Sequence, residues 1–269
     1  MAKDLRGFLA EWESAHPHDV RRIKAKVDPR FEASAVILCY ENHNQYPVCI
    51  FEDILNLRGG RSDFPVISNL FANRDRCSYA LGVSSRRIAQ DYFDLESRRI
   101  KPVVVPKEVA PVKQVIKRGE EVDILELPVL THHAKESGPF ITAGLVTCRD
   151  PDTGVYNLAL HRCQVKGSDD TGVNLEPASH NAFILRKYER MNKPMPVAIS
   201  IGHHPAVILG AQSTVAFHED EYDVIGGLLQ EPLELVPSEF WGDQLLVPAR
   251  AEIVLEGYIP PGIRKGEAP

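Results

Sequence analysis

The sequence predicts an α+β protein, with a small N-terminal α/β unit over residues 1–105 and a β-barrel or rolled sheet with attached helices over residues 106–269. Three observations lead to this prediction. Helical and strand patterns alternate through the first third of the chain. Near residue 101 the composition becomes rich in Val and Pro, as in short strands with Pro at their edges. A hairpin pattern and a long β-branched run follow later in the chain.

The N-terminal unit is predicted from apolar spacing and capping residues. Leu5, Phe8 and Trp12 recur at helical spacing, with Leu9 beside them, and predict a first helix. Further predicted elements follow in order: a helix over residues 31–39, a strand over 47–51, a strand entering a loop over 63–71, a helix over 73–82 closed by Gly82, and a helix over 84–100 capped by Ser84 or Ser85.

The second unit is predicted to consist mainly of strands. Short Pro-edged strands are expected over residues 101–130, and two β-branched runs over 140–165 are joined by a turn at residues 150–154. A helix opened by Pro177 and Ser179 follows. The remaining predictions are a buried strand over 195–202, a helix over 218–229 with an acidic first turn, and a long strand over 249–259.

Composition excludes several classes of protein. A formal net charge of −6 argues against a surface that binds nucleic acid, which needs an excess of Lys and Arg. No apolar run reaches the roughly 18 residues that a membrane span requires, and no signal-peptide pattern is visible. The five cysteines form no CxxC pair, so we expect reduced thiols and a cytoplasmic location. GxGxxG, P-loop and GxSxG motifs are also missing from the sequence.

A few polar residues in the second unit suggest a metal site. Asn157 lies in a strand pattern, and His180 and Glu221 each fall in the first turn of a predicted helix. An amide oxygen, an imidazole and a carboxylate suit a hard divalent cation such as Mn²⁺ or Mg²⁺. The pattern alone favours a simpler alternative, with Asn157 in a turn, Arg162 as a surface charge, Glu221 as a helix cap and His180 in solvent. Asn157 and Arg162 are also an odd number of residues apart, so a continuous strand would place them on opposite faces unless a bulge intervened.

The order of several segments resembles the UbiD family of decarboxylases along essentially the whole chain. The segments are "DLRGFL", "FPVISNLFANRDRCSYALG", "LELPVLTHHAKESGPFITAGLVTCRDPDTGVYNLALHRCQV", "SHNAF", "PMPVAISIGHHPAVILGA", "DEYDVIGGLLQEPLELV" and "LLVPARAEIVLEGYI". The resemblance implies a split β-barrel of the FMN-binding type. It also implies reversible decarboxylation of an aromatic, heteroaromatic or α,β-unsaturated carboxylic acid with prenylated FMN, a divalent metal that is usually Mn²⁺, and often K⁺.

The resemblance also assigns residues. The family's Asn-x4-Arg motif matches Asn157 and Arg162, as metal ligand and catalytic arginine, and the other metal ligands match His180 and Glu221. Contacts with the flavin are implied for Asn157, Ala159, Leu160, Arg162, Ser179 and His180, and a K⁺-binding turn for Gly210, Ala211 and Ser213. This sequence departs from the family pattern at three positions: Leu158 stands where Trp is frequent, Ser179 where Gln is frequent, and His161 adds an imidazole beside Arg162.

The last residues match half of a further family motif, Glu-x-Pro-Phe-Gly-Glu. Glu267 matches the first glutamate, which forms an acid–base network with the arginine. The second glutamate, usually the proton donor, and the family's C-terminal oligomerisation domain are not in these 269 residues. We therefore expect the chain by itself to be an inactive fragment of an enzyme. The complete enzyme is expected to be a homo-oligomer (dimer or hexamer) that receives its cofactor from a flavin prenyltransferase.

Two other functions fit the same residues. A short protein could hold a flavin without catalysis, as a binding module. A metal-dependent hydrolase using His180 and Glu221 is the second alternative. Neither the resemblance nor the residue pattern identifies the acid that serves as substrate.

Overall fold

The computed structural model describes residues 3–267. Seven α-helices lie in this part of the chain: α1 (Leu5–Ala15), α2 (Glu32–Asn42), α3 (Arg74–Leu81), α4 (Ile88–Ser97), α5 (His180–Arg190), α6 (Pro205–Gly210) and α7 (Glu221–Leu229). Its strands are β1 (Val20–Ile23), β2 (Val48–Phe51), β3 (Val66–Ser68), β4 (Val103–Val104), β5 (Phe140–Ile141), β6 (Leu145–Arg149), β7 (Tyr156–Leu160), β8 (Cys163–Val165), β9 (Thr171–Val173), β10 (Met195–Ile201), β11 (Glu234–Ser238), β12 (Gly242–Pro248) and β13 (Ile253–Ile259).

The N-terminal region folds around a three-stranded mixed sheet. β1 pairs in parallel with β2, and β2 pairs antiparallel with β3. Phe8 and Trp12 of α1 pack against this sheet, in one apolar cluster with Val48 of β2. The predicted helices and strands up to Gly82 are confirmed, and Gly82 ends α3 in the left-handed conformation at φ 65°.

Two predictions for residues 84–130 were wrong. α4 begins after Arg87, and Ser84 does not cap it, because its carbonyl oxygen instead accepts from the Arg87 N–H to close a turn. Between residues 101 and 130 the structure contains only the two-residue strand β4 and four short 3₁₀ helices, at Lys107–Val109, Pro111–Lys113, Gly119–Glu121 and Ile124–Glu126. Proline lacks an N–H group for a sheet ladder, and this segment forms local hydrogen bonds instead, such as that from the Val109 N–H to the Pro106 carbonyl.

The strands after residue 101 form three sheets, with the orders β13-β10-β6-β7, β12-β11-β4 and β5-β8-β9. The predicted hairpin is confirmed: β6 and β7 pair antiparallel, with Cys148 opposite Asn157. The long C-terminal strand is confirmed as β13 and pairs with β10. The hydrogen-bonded strands of residues 3–267 do not close into a barrel, and the observed architecture is a mixed α+β fold.

Helix α7 lies at the centre of the largest core cluster. Tyr222, Ile225 and Leu228 are fully buried and pack with Leu158 of β7 and Leu235 of β11. The chain before β4 passes so close to this helix that a Cβ atom at Gly226 would overlap the Ile100 carbonyl oxygen. The core therefore connects the end of the N-terminal region to the helix that carries Glu221.

Within residues 3–267, no helix is both long and apolar enough to cross a lipid bilayer.

Candidate active site

The candidate site forms around β7, which is an edge strand. β7 pairs only with β6 in its sheet, so its other edge is free of strand partners in the described chain. Side chains alternate along a strand, and Tyr156 and Leu158 enter the core beneath α7. Asn157 points to the opposite face, where its cross-strand neighbour Cys148 packs against α5. Asn157 is buried within the strand, so the alternative that placed it in a turn was wrong.

Helix α7 is attached to the edge of β7 by its N-cap. The Asp220 side chain accepts from the Tyr222 N–H at 2.9 Å and from the Tyr156 N–H of β7 at 3.1 Å. Tyr156 and Tyr222 also bond the backbone of the same residue, Leu246 in β12. The first helical residue, Glu221, is thereby held at the strand edge with its side chain only 5% exposed.

Helix α5 begins on the other face of the same sheet. Ser179 is its N-cap and accepts from the Ala182 N–H at 3.3 Å. The buried Asn181 side chain accepts from the Cys148 thiol at 3.0 Å and donates to the Val146 carbonyl at 3.4 Å. These bonds fix the first residue of α5, His180, beside β7. Its Nδ1 lies 3.9 Å from Glu221 Oε1.

Two oxygen acceptors in this cluster are buried and have no hydrogen-bond partner: Asn157 Oδ1 and Glu221 Oε2. Burial raises the pKa of the Glu221 carboxyl to about 8, and the Asp220 carboxylate adds to this, although the backbone N–H groups of Glu221 and Leu158 act in the opposite direction. Burial also lowers the pKa of His180. Both directions favour the neutral groups over an ion pair at this 3.9 Å contact.

The donor set fits a hard divalent cation. Buried acceptors without partners are costly, and a cation would satisfy both oxygens and favour the ionised Glu221. Within residues 3–267, no cluster of three His, Cys, Asp or Glu side chains is arranged to hold a metal ion. The candidate centre contains two such residues and the Asn157 amide, which suits Mn²⁺ or Mg²⁺ with further ligands from outside the protein.

The chain changes sheets between β7 and β8. β7 ends at Leu160, His161 and Arg162 follow, and β8 then joins a different sheet. Because the strand is interrupted before Arg162, the odd spacing between Asn157 and Arg162 does not place their side chains on opposite faces of one strand. His161 is buried with no partner for Nε2, and burial lowers its pKa.

Arg162 forms a two-point contact with Glu267. Its Nε and Nη2 atoms lie 3.0 Å and 2.6 Å from the two carboxylate oxygens. The Arg162 side chain is 55% exposed, which agrees with the alternative that made it a surface charge, but its guanidinium is paired with Glu267. This hydrogen bonding holds the pKa of Glu267 below its usual range. The structure thus brings together Arg162 and Glu267, which the family resemblance names as catalytic, although they are far apart in the chain.

The other predicted residues lie on β7, at the start of α5 and at the end of α6, where Ala211 is buried in the largest core cluster. Ala159 and Leu160 follow Asn157 on β7 and are half-buried, and Ser179 caps α5. Gly210 ends α6 where a Cβ atom would lie 2.8 Å from Ile225 of α7, so the helices approach closely there. The Ser213 hydroxyl is 2.7 Å from the Tyr92 hydroxyl.

Sequence reasoning missed four residues that position this site. Asp220 and Asn181 each lie next to a predicted ligand and attach its helix to β6 or β7. The Asp before an acidic first turn was a capping signal that could have identified Asp220. Lys166 contacts the segment that carries Glu267, and Gln164 holds Lys166; nothing in the local sequence indicates either contact.

Comparison with known proteins places this geometry in a family. Residues 103–269 match the family model described as the UbiD 3-octaprenyl-4-hydroxybenzoate carboxy-lyase Rift-related domain, and residues 14–96 match the corresponding N-terminal domain. The chain is 31% identical to a phenolic acid decarboxylase of Sedimentibacter hydroxybenzoicus, over 99% of this chain and 56% of that protein. It is 32% identical to an anhydromevalonate phosphate decarboxylase of Methanothermobacter thermautotrophicus, over 92% of this chain and 54% of that protein.

Solved structures show the same fold. An evolved dimeric form of the UbiD-class enzyme HmfF from Pelotomaculum thermopropionicum, in complex with prFMN, matches with a TM-score of 0.90 and 36% identity, over 100% of this chain and 60% of that one. The closed form of the vanillic acid decarboxylase of Sedimentibacter hydroxybenzoicus matches with a TM-score of 0.87 and 30% identity, over 98% of this chain and 56% of that one. The chain thus spans a little over half the length of these relatives. Two family models that together match most of its length show that this chain belongs to the UbiD family of carboxy-lyases.

Proposed function

We propose that this chain is the part of a decarboxylase that binds prenylated FMN and a divalent metal. The complete enzyme would act reversibly on an aromatic, heteroaromatic or α,β-unsaturated carboxylic acid. The observation that carries the proposal is the presence of two buried, partnerless oxygens, Asn157 Oδ1 and Glu221 Oε2, the second on a carboxyl whose Oε1 lies 3.9 Å from His180 Nδ1. Relatives with decarboxylase names and a related structure in complex with prFMN support it.

Asn157, His180 and Glu221 would hold the metal, as Mn²⁺ or Mg²⁺. Helices α5 and α7 both begin at this cluster, with His180 and Glu221 as their first residues. Helix N-termini carry unsatisfied N–H groups and a partial positive charge, which favour phosphate. A flavin phosphate beside the metal would therefore meet favourable charge from both helices and supply the metal with oxygen ligands. Ala159, Leu160 and Ser179 are proposed to contact the flavin because they adjoin the ligand residues.

The reaction needs a place for the electron pair that remains when CO₂ leaves, and prenylated FMN supplies this electron sink when it is bound. Arg162 presents a planar guanidinium that suits bidentate binding of a substrate carboxylate. Glu267 orients this guanidinium through its two-point contact. The lowered pKa of Glu267 keeps it ionised at neutral pH, so that it holds Arg162. Its role as a base is proposed from its position beside Arg162.

Further parts of the proposal concern the complete protein. We propose a split β-barrel around the flavin, with residues 1–105 as a separate domain, and a K⁺ site at the Gly210, Ala211 and Ser213 backbone. The antiparallel β13-β10-β6-β7 sheet and the close packing of α6 on α7 support these assignments. We also propose that a flavin prenyltransferase supplies the cofactor and that the complete enzyme is a homo-oligomer, either a dimer or a hexamer. This chain by itself is proposed to be inactive.

Cofactor and metal binding can be tested directly on this chain. Material produced together with a flavin prenyltransferase should carry prenylated FMN by absorption and mass spectrometry, and should bind Mn²⁺ by electron paramagnetic resonance. His180→Ala should lose the Mn²⁺ signal, whereas His18→Ala should keep it, because His18 is exposed and far along the chain from the cluster. A wild-type chain that binds neither flavin nor Mn²⁺ would contradict the proposal.

A further inference from the structure

The acid–base pair depends on a segment that has no helix or strand of its own. Glu267 follows β13 by eight residues, and the intervening chain forms no regular secondary structure. This segment is exposed from Gly262 to Glu267. Such a segment needs contacts with the rest of the fold to present a carboxylate at one place. A contact between this segment and the fold must therefore place Glu267 opposite Arg162.

One face of β8 supplies that contact. Alternating side chains of β8 enter the core, where Cys163 and Val165 are buried. By the same alternation, Gln164 lies on the opposite face, together with Arg162 and Lys166, which flank the strand. Arg162 holds Glu267, and Lys166 Nζ donates to the carbonyl of the preceding residue, Gly266, at 2.8 Å.

Lys166 is itself held by a buried amide. Its Nζ lies 2.5 Å from Gln164 Oε1, and Gln164 Nε2 donates to the Ser137 carbonyl at 2.8 Å and hydroxyl at 2.9 Å. Because the Gln164 NH₂ group is engaged with Ser137, its oxygen faces the lysine. The chain of contacts therefore runs from a buried residue to the peptide next to Glu267.

The neighbouring strand leaves space for this lysine. Gly172 of β9 lies opposite Gln164, and a Cβ atom there would be 2.5 Å from Lys166 Cε. The lysine stem thus crosses a position that only glycine leaves open. By contrast, Lys265 and Asp170, which also join the segment to the β8–β9 region, are 53% and 40% exposed, and exposed ion pairs contribute little.

We propose that Lys166 is a positioning residue for the acid–base pair, holding the Gly266–Glu267 peptide against β8 so that the carboxylate meets Arg162. The contact is independent of any ligand, but its catalytic meaning rests on the proposed function. It also brings a positive charge close to Glu267, in the direction that keeps this carboxyl ionised.

The Arg162 side-chain Nε–Hε signal in the NMR spectrum of the chain reports on the pair without any assay of activity. In Lys166→Met, exchange of Arg162 Hε with water should become roughly two- to fivefold faster, the effect expected for a partly exposed polar contact. Lys193→Met is the matched control, because Lys193 is an exposed lysine outside the site, and it should leave the exchange rate unchanged.

A second variant displaces the lysine without removing its charge. Gly172→Ala should accelerate the exchange as Lys166→Met does, and the double variant should be no faster than either single one. Gly257→Ala, where a Cβ atom would meet nothing within 4 Å, should have no effect. Unchanged Arg162 exchange in both Lys166→Met and Gly172→Ala would overturn the inference.

The two proposals fail in different measurements. If the wild-type chain binds neither flavin nor Mn²⁺, the proposed function is refuted, but the Lys166 contact is not affected. Unchanged exchange with intact flavin binding would refute the role of Lys166 alone. In the complete protein, the same two variants should lower the decarboxylation rate by a similar factor at unchanged flavin content.

Discussion

His180 and Glu221 are the first residues of two helices that lie on opposite faces of one sheet, and their side chains approach to 3.9 Å at its edge. Each helix is fixed by the residue that follows or precedes its proposed ligand, Asn181 for α5 and Asp220 for α7. The site is therefore assembled by the docking of two helix N-termini on β6 and β7, and it can be perturbed separately from the core.

The buried carboxyl of Glu221 should be essential for metal binding but not for folding. Glu221→Gln should weaken Mn²⁺ binding by at least about 100-fold, because losing a ligand should cost no less than changing a residue that only supports one. Without Mn²⁺, the variant should unfold at the same temperature as the wild-type chain. The substitution replaces a buried acid whose Oε2 atom has no hydrogen-bond partner, so it breaks no bond of that atom. Calorimetric Mn²⁺ titration and thermal unfolding measure the two effects. Glu41→Gln, at an exposed glutamate in α2, should change neither, and equal Mn²⁺ affinity in both variants would contradict this role.

The Arg162–Glu267 pair should matter for turnover and not for cofactor binding. Glu267→Gln keeps the shape of the side chain but removes its charge and its capacity as a base. In the complete protein it should lower the decarboxylation rate by about 10²- to 10⁴-fold, the usual contribution of acid–base catalysis. Flavin content by absorption should stay at the wild-type level. Glu120→Gln, at an exposed glutamate in a separate short helix, serves as the control. Wild-type turnover in Glu267→Gln would remove Glu267 from the mechanism.

A buried histidine should make the fold sensitive to acid. His203 bonds Ser200 Oγ at 2.9 Å, and burial lowers its pKa from 6.5 to about 4. The unfolded chain takes up a proton below pH 6.5, whereas the folded chain does so only near pH 4. The contribution of His203 to the free energy of unfolding is therefore fully present above pH 6.5. It falls by up to about 3 kcal/mol as the pH drops towards 4.

Urea unfolding at pH 7 and at pH 4.5 measures this dependence. His203→Gln should lose less stability between the two pH values than the wild type, whatever its stability at pH 7. His18→Gln, at an exposed histidine, should keep the wild-type dependence. The explanation fails if His203→Gln and the wild type lose equal stability.

Gly226 should be intolerant of any side chain, although it lies within a helix. Alanine normally favours a helix over glycine by up to about 1 kcal/mol. Here its Cβ atom would overlap the Ile100 carbonyl oxygen, so Gly226→Ala should instead destabilise the fold by roughly 1–3 kcal/mol. Urea unfolding gives the difference, with Gly257→Ala as the tolerant comparison. A neutral or stabilising Gly226→Ala would show that residues near Ile100 do not pack on α7 as described.

Local patterns predicted most of the regular elements. The caps Ser179 and Gly82, the β6–β7 hairpin and the apolar run of β10 are all local signals, and each element formed where it was expected. The errors at Ser84 and in residues 101–130 arose where local hydrogen bonds competed with the expected cap or strand pairing. The family motifs also named Asn157, Arg162, His180, Glu221 and Glu267 from the sequence, but their roles remain predictions.

The amino-acid order alone carried the identity of these residues, their helix-initial positions and the family to which the chain belongs. It could not show that Asn157 is buried at a sheet edge, that the strand breaks before Arg162, or that Lys166 reaches Gly266 across Gly172. Those relations join residues up to a hundred positions apart, and local propensity contains no information about such distances. They arise only when two helices and the last segment pack against the same strands, because packing decides which polar groups become buried and which of them find partners.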